Sequence, residues 1–129
     1  MKKLLISFLL MIITGLTANS AVMTYEEASS QNSEKPMAVL VYADWADGYT
    51  NALNEFKKTQ KTMTNSYNYV ELNVASKDMK NFNKKYIICT NLPYILLLRS
   101  NGKFSSLIDH NCALNTSCAV SKMKSFQRK

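Results

Sequence analysis

The residues best suited by type to do chemistry are the three cysteines, Cys89, Cys112 and Cys118, and the single histidine, His110. His110-Asn111-Cys112 with Cys118 downstream offers an imidazole and two sulfurs, a donor set that suits a soft metal ion. A His-x-Cys pair with a five-residue gap to the second cysteine matches no zinc spacing, however, so no metal site is expected. An oxidised pair fits better. Cys112 and Cys118 are close enough in sequence to meet often, so they are the expected disulfide, and closing this small loop contributes about 2–3 kcal/mol. The odd count leaves pairings of Cys89 with Cys112 or with Cys118 open. In the expected arrangement Cys89 is a free thiol. It follows Ile87-Ile88 and is expected to point inward as a small hydrophobe. His110 is expected at the surface, at the end of a strand.

A disulfide requires an oxidising compartment, and the first residues supply a reason to expect one. Lys2-Lys3 precedes an apolar run from Leu4 to Ile13 that is short for a bilayer span, and Ala18, Ser20 and Ala21 are small. Residues 1–21 are therefore expected to be a signal peptide of bacterial style, and the protein periplasmic or secreted. Membrane attachment is expected only through this leader, if it stays uncleaved. Residues 22–129 suffice for one domain, and 47% apolar residues suffice for one core. The formal charge of +7 falls to +5 when Lys2 and Lys3 leave with the leader. The other lysines spread over helical stretches without interleaved aromatics, as solvated faces do, so no nucleic-acid partner is expected.

The pattern of residues alternates helix and strand. Thr24 and Glu27 form a capping box for a short helix. Met37-Ala-Val-Leu-Val-Tyr42 reads as a buried strand. A helix is expected over about 47–62, with Tyr49, Ala52, Leu53, Phe56 and Met63 on one face. Strand 69–74 follows, then a helix capped by Ser76 with Met79, Phe82 and Tyr86 on one stripe. Tyr94-Ile-Leu-Leu-Leu98 is a strand, Asn101-Gly102 a hairpin turn, and Phe104 to Ile108 the returning strand. A last helix over about 117–127 buries Val120, Met123 and Phe126. Parallel β-α-β followed by an antiparallel hairpin is an α/β pattern: a central mixed sheet of about four strands flanked by helices.

The segment Tyr42-Ala-Asp-Trp45-Ala46-Asp47-Gly48-Tyr49, at a strand–turn–helix junction, resembles the active-site segment of thioredoxin-like proteins. Leu92-Pro93 before a strand, the hairpin Asn101-Gly102-Lys103 and the helix-then-Lys35-Pro36 entry strengthen the likeness, which covers nearly all of residues 22–129. The resemblance implies a thioredoxin-like fold with a cis peptide at Pro93. It also places Cys112 to Cys118 in a loop longer than the family's usual one.

The same resemblance exposes what is missing. A dithiol oxidoreductase needs two cysteines at i and i+3 on a helix N-terminus, one to attack and one to resolve. Ala46 and Tyr49 occupy those positions, and Leu40 stands where the family often has a buried carboxylate. No catalytic residue and no cofactor is therefore expected. The expectation is a non-catalytic module that holds a polypeptide at the Trp45–Tyr49 turn and along the Leu92-Pro93 backbone edge. The alternative is an atypical thiol-disulfide oxidoreductase using Cys89 with Cys112 or Cys118.

Overall fold

A computed structural model describes residues 22–31, 34–100 and 105–128. The expected leader, the Asn101-Gly102 turn and Phe104 lie outside the described residues.

The centre is β1, Met37–Tyr42. Ala38 and Leu40 enter one core cluster and Val39 and Val41 another, all four fully buried. A strand covered on both faces must be apolar without alternation, which explains the unbroken run. β2 (Asn68–Asn73) pairs parallel to β1, while β3 (Tyr94–Leu98) pairs antiparallel to it and β4 (Ser105–Ile108) antiparallel to β3. The result is a four-stranded mixed sheet in the order β2-β1-β3-β4.

Helices cover both faces. On one lie α1 (Tyr25–Ser30) and α3 (Asp78–Lys85), whose Tyr25 and Phe82 rings meet edge to face at 5.3 Å. The α1 capping box forms as its sequence requires: Thr24 accepts from the Glu27 amide at 3.1 Å, and Glu27 accepts from the Thr24 amide at 3.2 Å. On the other face lie α2 (Tyr49–Thr62), α4 (His110–Ala113) and α5 (Thr116–Gln127). Glu55 of α2 accepts from both the amide and the hydroxyl of Thr116, at 3.3 and 2.9 Å, which ties α2 to the start of α5.

Three expectations need correction. The short helix α4 was not anticipated; the Asp109 side chain caps it by accepting from the Cys112 amide at 3.0 Å. His110 therefore opens a helix, half-buried, with its Nδ1 shielded from solvent and unpartnered among the described residues. Cys89 is exposed rather than inward, and Ile87 beside it is 85% exposed. The α3 helix stops before Tyr86, and beyond it Ile88 packs against the core while Ile87 and Cys89, on either side of it, face solvent.

Candidate functional site

The end of β1 positions the turn. β1 runs to Tyr42, and Ala43 is fully buried, so the chain leaves the sheet from its middle rather than an edge. The Ala46 amide donates to the Ala43 carbonyl at 3.0 Å, and the Tyr49 amide to the Ala46 carbonyl at 3.4 Å, closing the turn onto α2. Gly48 is the N-cap of α2 with φ of 82°, a conformation glycine adopts without strain. Asp44 accepts from the Asn73 side chain at 3.2 Å, which anchors the turn to β2. Among the described residues nothing covers Trp45, which is 78% exposed. Tyr49 lies back on Tyr42, rings near parallel with centroids 6.4 Å apart.

The antiparallel register brings the second segment to the same place. Val41 pairs with Tyr94, so Leu92-Pro93, just before Tyr94, runs alongside Tyr42 and Ala43 as they lead into the turn. The Leu92–Pro93 peptide bond is cis. Pro93 is buried and Leu92 half-buried. The exposed Cys89 precedes this segment in the same loop.

A third segment closes over the turn. Cys112 and Cys118 are joined by a disulfide with Cα atoms 5.2 Å apart. Each is the third residue of a helix whose N-cap side chain holds its amide: Asp109 for Cys112, and Asn115, at 2.9 Å, for Cys118. Two capped helix starts are thus bolted together. The loop between them carries Leu114, whose methyl lies 3.5 Å from where a β-carbon on Gly48 would stand. Cys112 is buried and Cys118 half-buried. Among the described residues no group of three metal-ligating side chains comes together.

Beside the site stands a residue that sequence reasoning passed over. Leu40 is fully buried, and its register partner on β2 is Glu71. Glu71 is half-buried, its Oε2 atom shielded and without a hydrogen-bond partner among the described residues. Burial pushes its carboxyl above the ordinary range, partly offset by the Lys57 ammonium. The same carboxylate, after burial itself, helps raise the Tyr42 hydroxyl. The signal was a lone acid within the apolar strand Tyr69-Val70-Glu71-Leu72.

Solved structures supply the comparison. Chloroplastic thioredoxin z matches with a TM-score of 0.63 at 16% identity, over 83% of this chain and 93% of that one. This is a thioredoxin-like fold. A disulphide isomerase from Xylella fastidiosa Temecula1 matches at 0.60 and 13% identity, over 79% of this chain and 87% of that one. The J-Trx1 fragment of ERdj5 matches at 0.62 and 14%, over 81% of this chain and 48% of that one. At such identities the likeness is one of fold. No family model matches the chain, and no curated protein matches it in sequence. Within the thioredoxin-like fold, the Trp45 turn and the Leu92-Pro93 segment share one end of the sheet with the disulfide-closed loop.

Proposed function

We propose that this is an exported thioredoxin-fold protein that holds a polypeptide at the Trp45–Tyr49 turn and the Leu92-Pro93 segment, without dithiol-disulfide catalysis there. The observation that carries the reading is the exposed Trp45 ring, at the start of a turn with no sulfur at residue 46 or 49. Exposed aromatic side chains are favoured anchors in protein recognition. Ala46 has no group able to attack a disulfide, and Tyr49 none able to resolve one. Export rests on the composition of residues 1–21. The test of the catalytic half is reduction of insulin disulfides by dithiothreitol. The expected rate with the protein equals the uncatalysed rate; a faster rate that vanishes in Cys89→Ser overturns the reading.

A second reading is kept by one observation, the exposure of the Cys89 thiol in the loop that leads to Pro93. In it, Cys89 works with Cys112 or Cys118 as an atypical thiol-disulfide centre. Catalysed insulin reduction that depends on Cys89 would favour it.

A further inference from the structure

The loop that approaches the turn is closed by a reducible bond. Cys112 and Cys118 bracket Leu114, whose Cδ2 and Cδ1 atoms lie 3.5 and 3.6 Å from where a β-carbon on Gly48 would stand. Leu114 also packs against the core cluster that holds Ala52 and Phe56 of α2. The oxidation state of two sulfurs is thus one short loop away from the turn.

What else holds the loop decides how much depends on that bond. α4 has four residues, far below the roughly 12–15 at which a helix stands alone. Its other attachments are the Asp109 cap and the burial of Cys112 and Ala113. The Leu114 amide donates to the His110 carbonyl at 3.3 Å and the Asn115 amide to the Cys112 carbonyl at 3.0 Å. Both bonds tie the loop to α4 rather than to the body of the domain. α5 is better anchored. It has twelve residues, the Asn115 cap and the Thr116–Glu55 hydrogen bonds, and it buries Val120, Met123 and Phe126. Loss of the disulfide therefore loosens α4 and Leu114 before it loosens α5.

The two sulfurs differ in access. Cys112 is 5% exposed and Cys118 is half-buried, so an incoming thiolate reaches Cys118 first. The thiolate of an external dithiol attacks Cys118 Sγ, the sulfur–sulfur bond breaks, and Cys112 leaves as a thiolate that takes up a proton. The second thiol of the reagent loses its proton, attacks the reagent's own sulfur in the mixed disulfide and expels the Cys118 thiolate, which is protonated in turn. Two electrons and two protons pass to the protein, and the dithiol becomes an intramolecular disulfide.

We propose that the Cys112–Cys118 disulfide is a redox gate on the turn. Oxidised, it holds Leu114 at Gly48; reduced by a dithiol, it lets α4 and Leu114 move away and weakens binding at the turn. The effect on binding rests on the reading that the turn holds a polypeptide; the effect on the turn itself does not.

The experiment compares the full chain, oxidised and reduced with dithiothreitol, by two readouts. One is amide hydrogen exchange. The other is Trp45 emission during titration with a tryptophan-free unfolded polypeptide whose cysteines are alkylated. Reduction is expected to speed exchange about tenfold at Leu114 and Asn115 and about threefold at Tyr49, with α5 beyond Ala119 unchanged. Affinity is expected to fall about threefold or more, as it does when the competent state drops to about a third of the population. Cys112→Ser with Cys118→Ser is expected to match the reduced parent with or without dithiothreitol, which separates this bond from any effect at Cys89. Exchange at Tyr49 that ignores reduction overturns the gate, as does equal affinity of the two forms. Faster exchange along the whole of α5 also overturns it, because the bond then holds the domain rather than the loop. Binding in neither form, with Tyr49 still responding to reduction, contradicts the polypeptide reading and supports the gate.

Discussion

Leu114 rests over Gly48, its Cδ2 atom 3.5 Å from the point a β-carbon would occupy. Through that contact the disulfide-closed loop and the exposed turn form one surface, although 66 positions separate the two residues in sequence. The turn is thus approached at Gly48 by a loop closed by two sulfurs bonded to each other.

Gly48→Ala tests the turn. The distance to Leu114 is ordinary contact, so space is not the obstacle; the φ of 82° is. A left-handed conformation costs a residue with a β-carbon about 1–2 kcal/mol. The expected outcome is a loss of stability of that size by urea denaturation, with secondary structure retained by circular dichroism. An unchanged midpoint would mean that the turn relaxes freely.

Breaking the disulfide tests the staple. Cys112→Ser with Cys118→Ser removes a short-loop closure, for which chain entropy gives about 2 kcal/mol of lost stability. Cys89→Ser is expected to stay within about 0.5 kcal/mol of the parent, because Cys89 is exposed and unbonded. Non-reducing peptide mapping of the native protein is expected to give a linked Cys112–Cys118 peptide, with Cys89 alkylated without unfolding. A crosslink containing Cys89 contradicts this.

These sulfurs show where sequence was legible and where it was not. β1 could be read because a run buried on both faces has no competing pattern. The Cys112–Cys118 pairing could be read because it is local. The exposure of Cys89 could not, since Ile87-Ile88-Cys89 is apolar by type and only the end of α3 decides where it faces. The helix His110–Ala113 was hidden because its one strong signal is Asp109, a residue equally at home in a loop after a strand. Glu71 is a lone acid in a strand of apolar residues, and the sequence alone does not say what covers it. Its burial beside Leu40 comes from α2 packing over that face, a tertiary effect.

Glu71 gives a pH prediction. Its carboxyl titrates higher in the folded protein than in the unfolded chain, because burial opposes the charge. Between the two values the folded state holds the extra proton, so this group's contribution is full below the unfolded value and lost as pH rises through the folded one. Glu71→Gln is therefore expected to be more stable than the parent at neutral pH, with the difference shrinking on acidification through that window. Glu55 acts in the opposite sense. Hydrogen bonds from Lys58 and Thr116 lower its carboxyl, so its contribution is lost as pH falls through the lowered value. Urea midpoints of parent and Glu71→Gln across pH 4 to 8 isolate the first effect. A difference that grows on acidification would show that the Glu71 carboxylate is stabilising.

Polypeptide binding at the turn, as proposed, has a built-in reporter, because Trp45 is the single tryptophan and lies exposed. The most direct measurement is the Trp45 emission of the full chain during titration with a permanently unfolded, tryptophan-free polypeptide whose cysteines are alkylated. A saturable blue shift is expected as the ring leaves water. The Leu92→Asp variant is expected to bind at least about tenfold more weakly, because it puts a charge beside the proposed docking edge at the cost of about 1.4 kcal/mol or more. Emission that stays at the solvent-exposed wavelength at every concentration, or a shift that Leu92→Asp leaves unchanged, contradicts it.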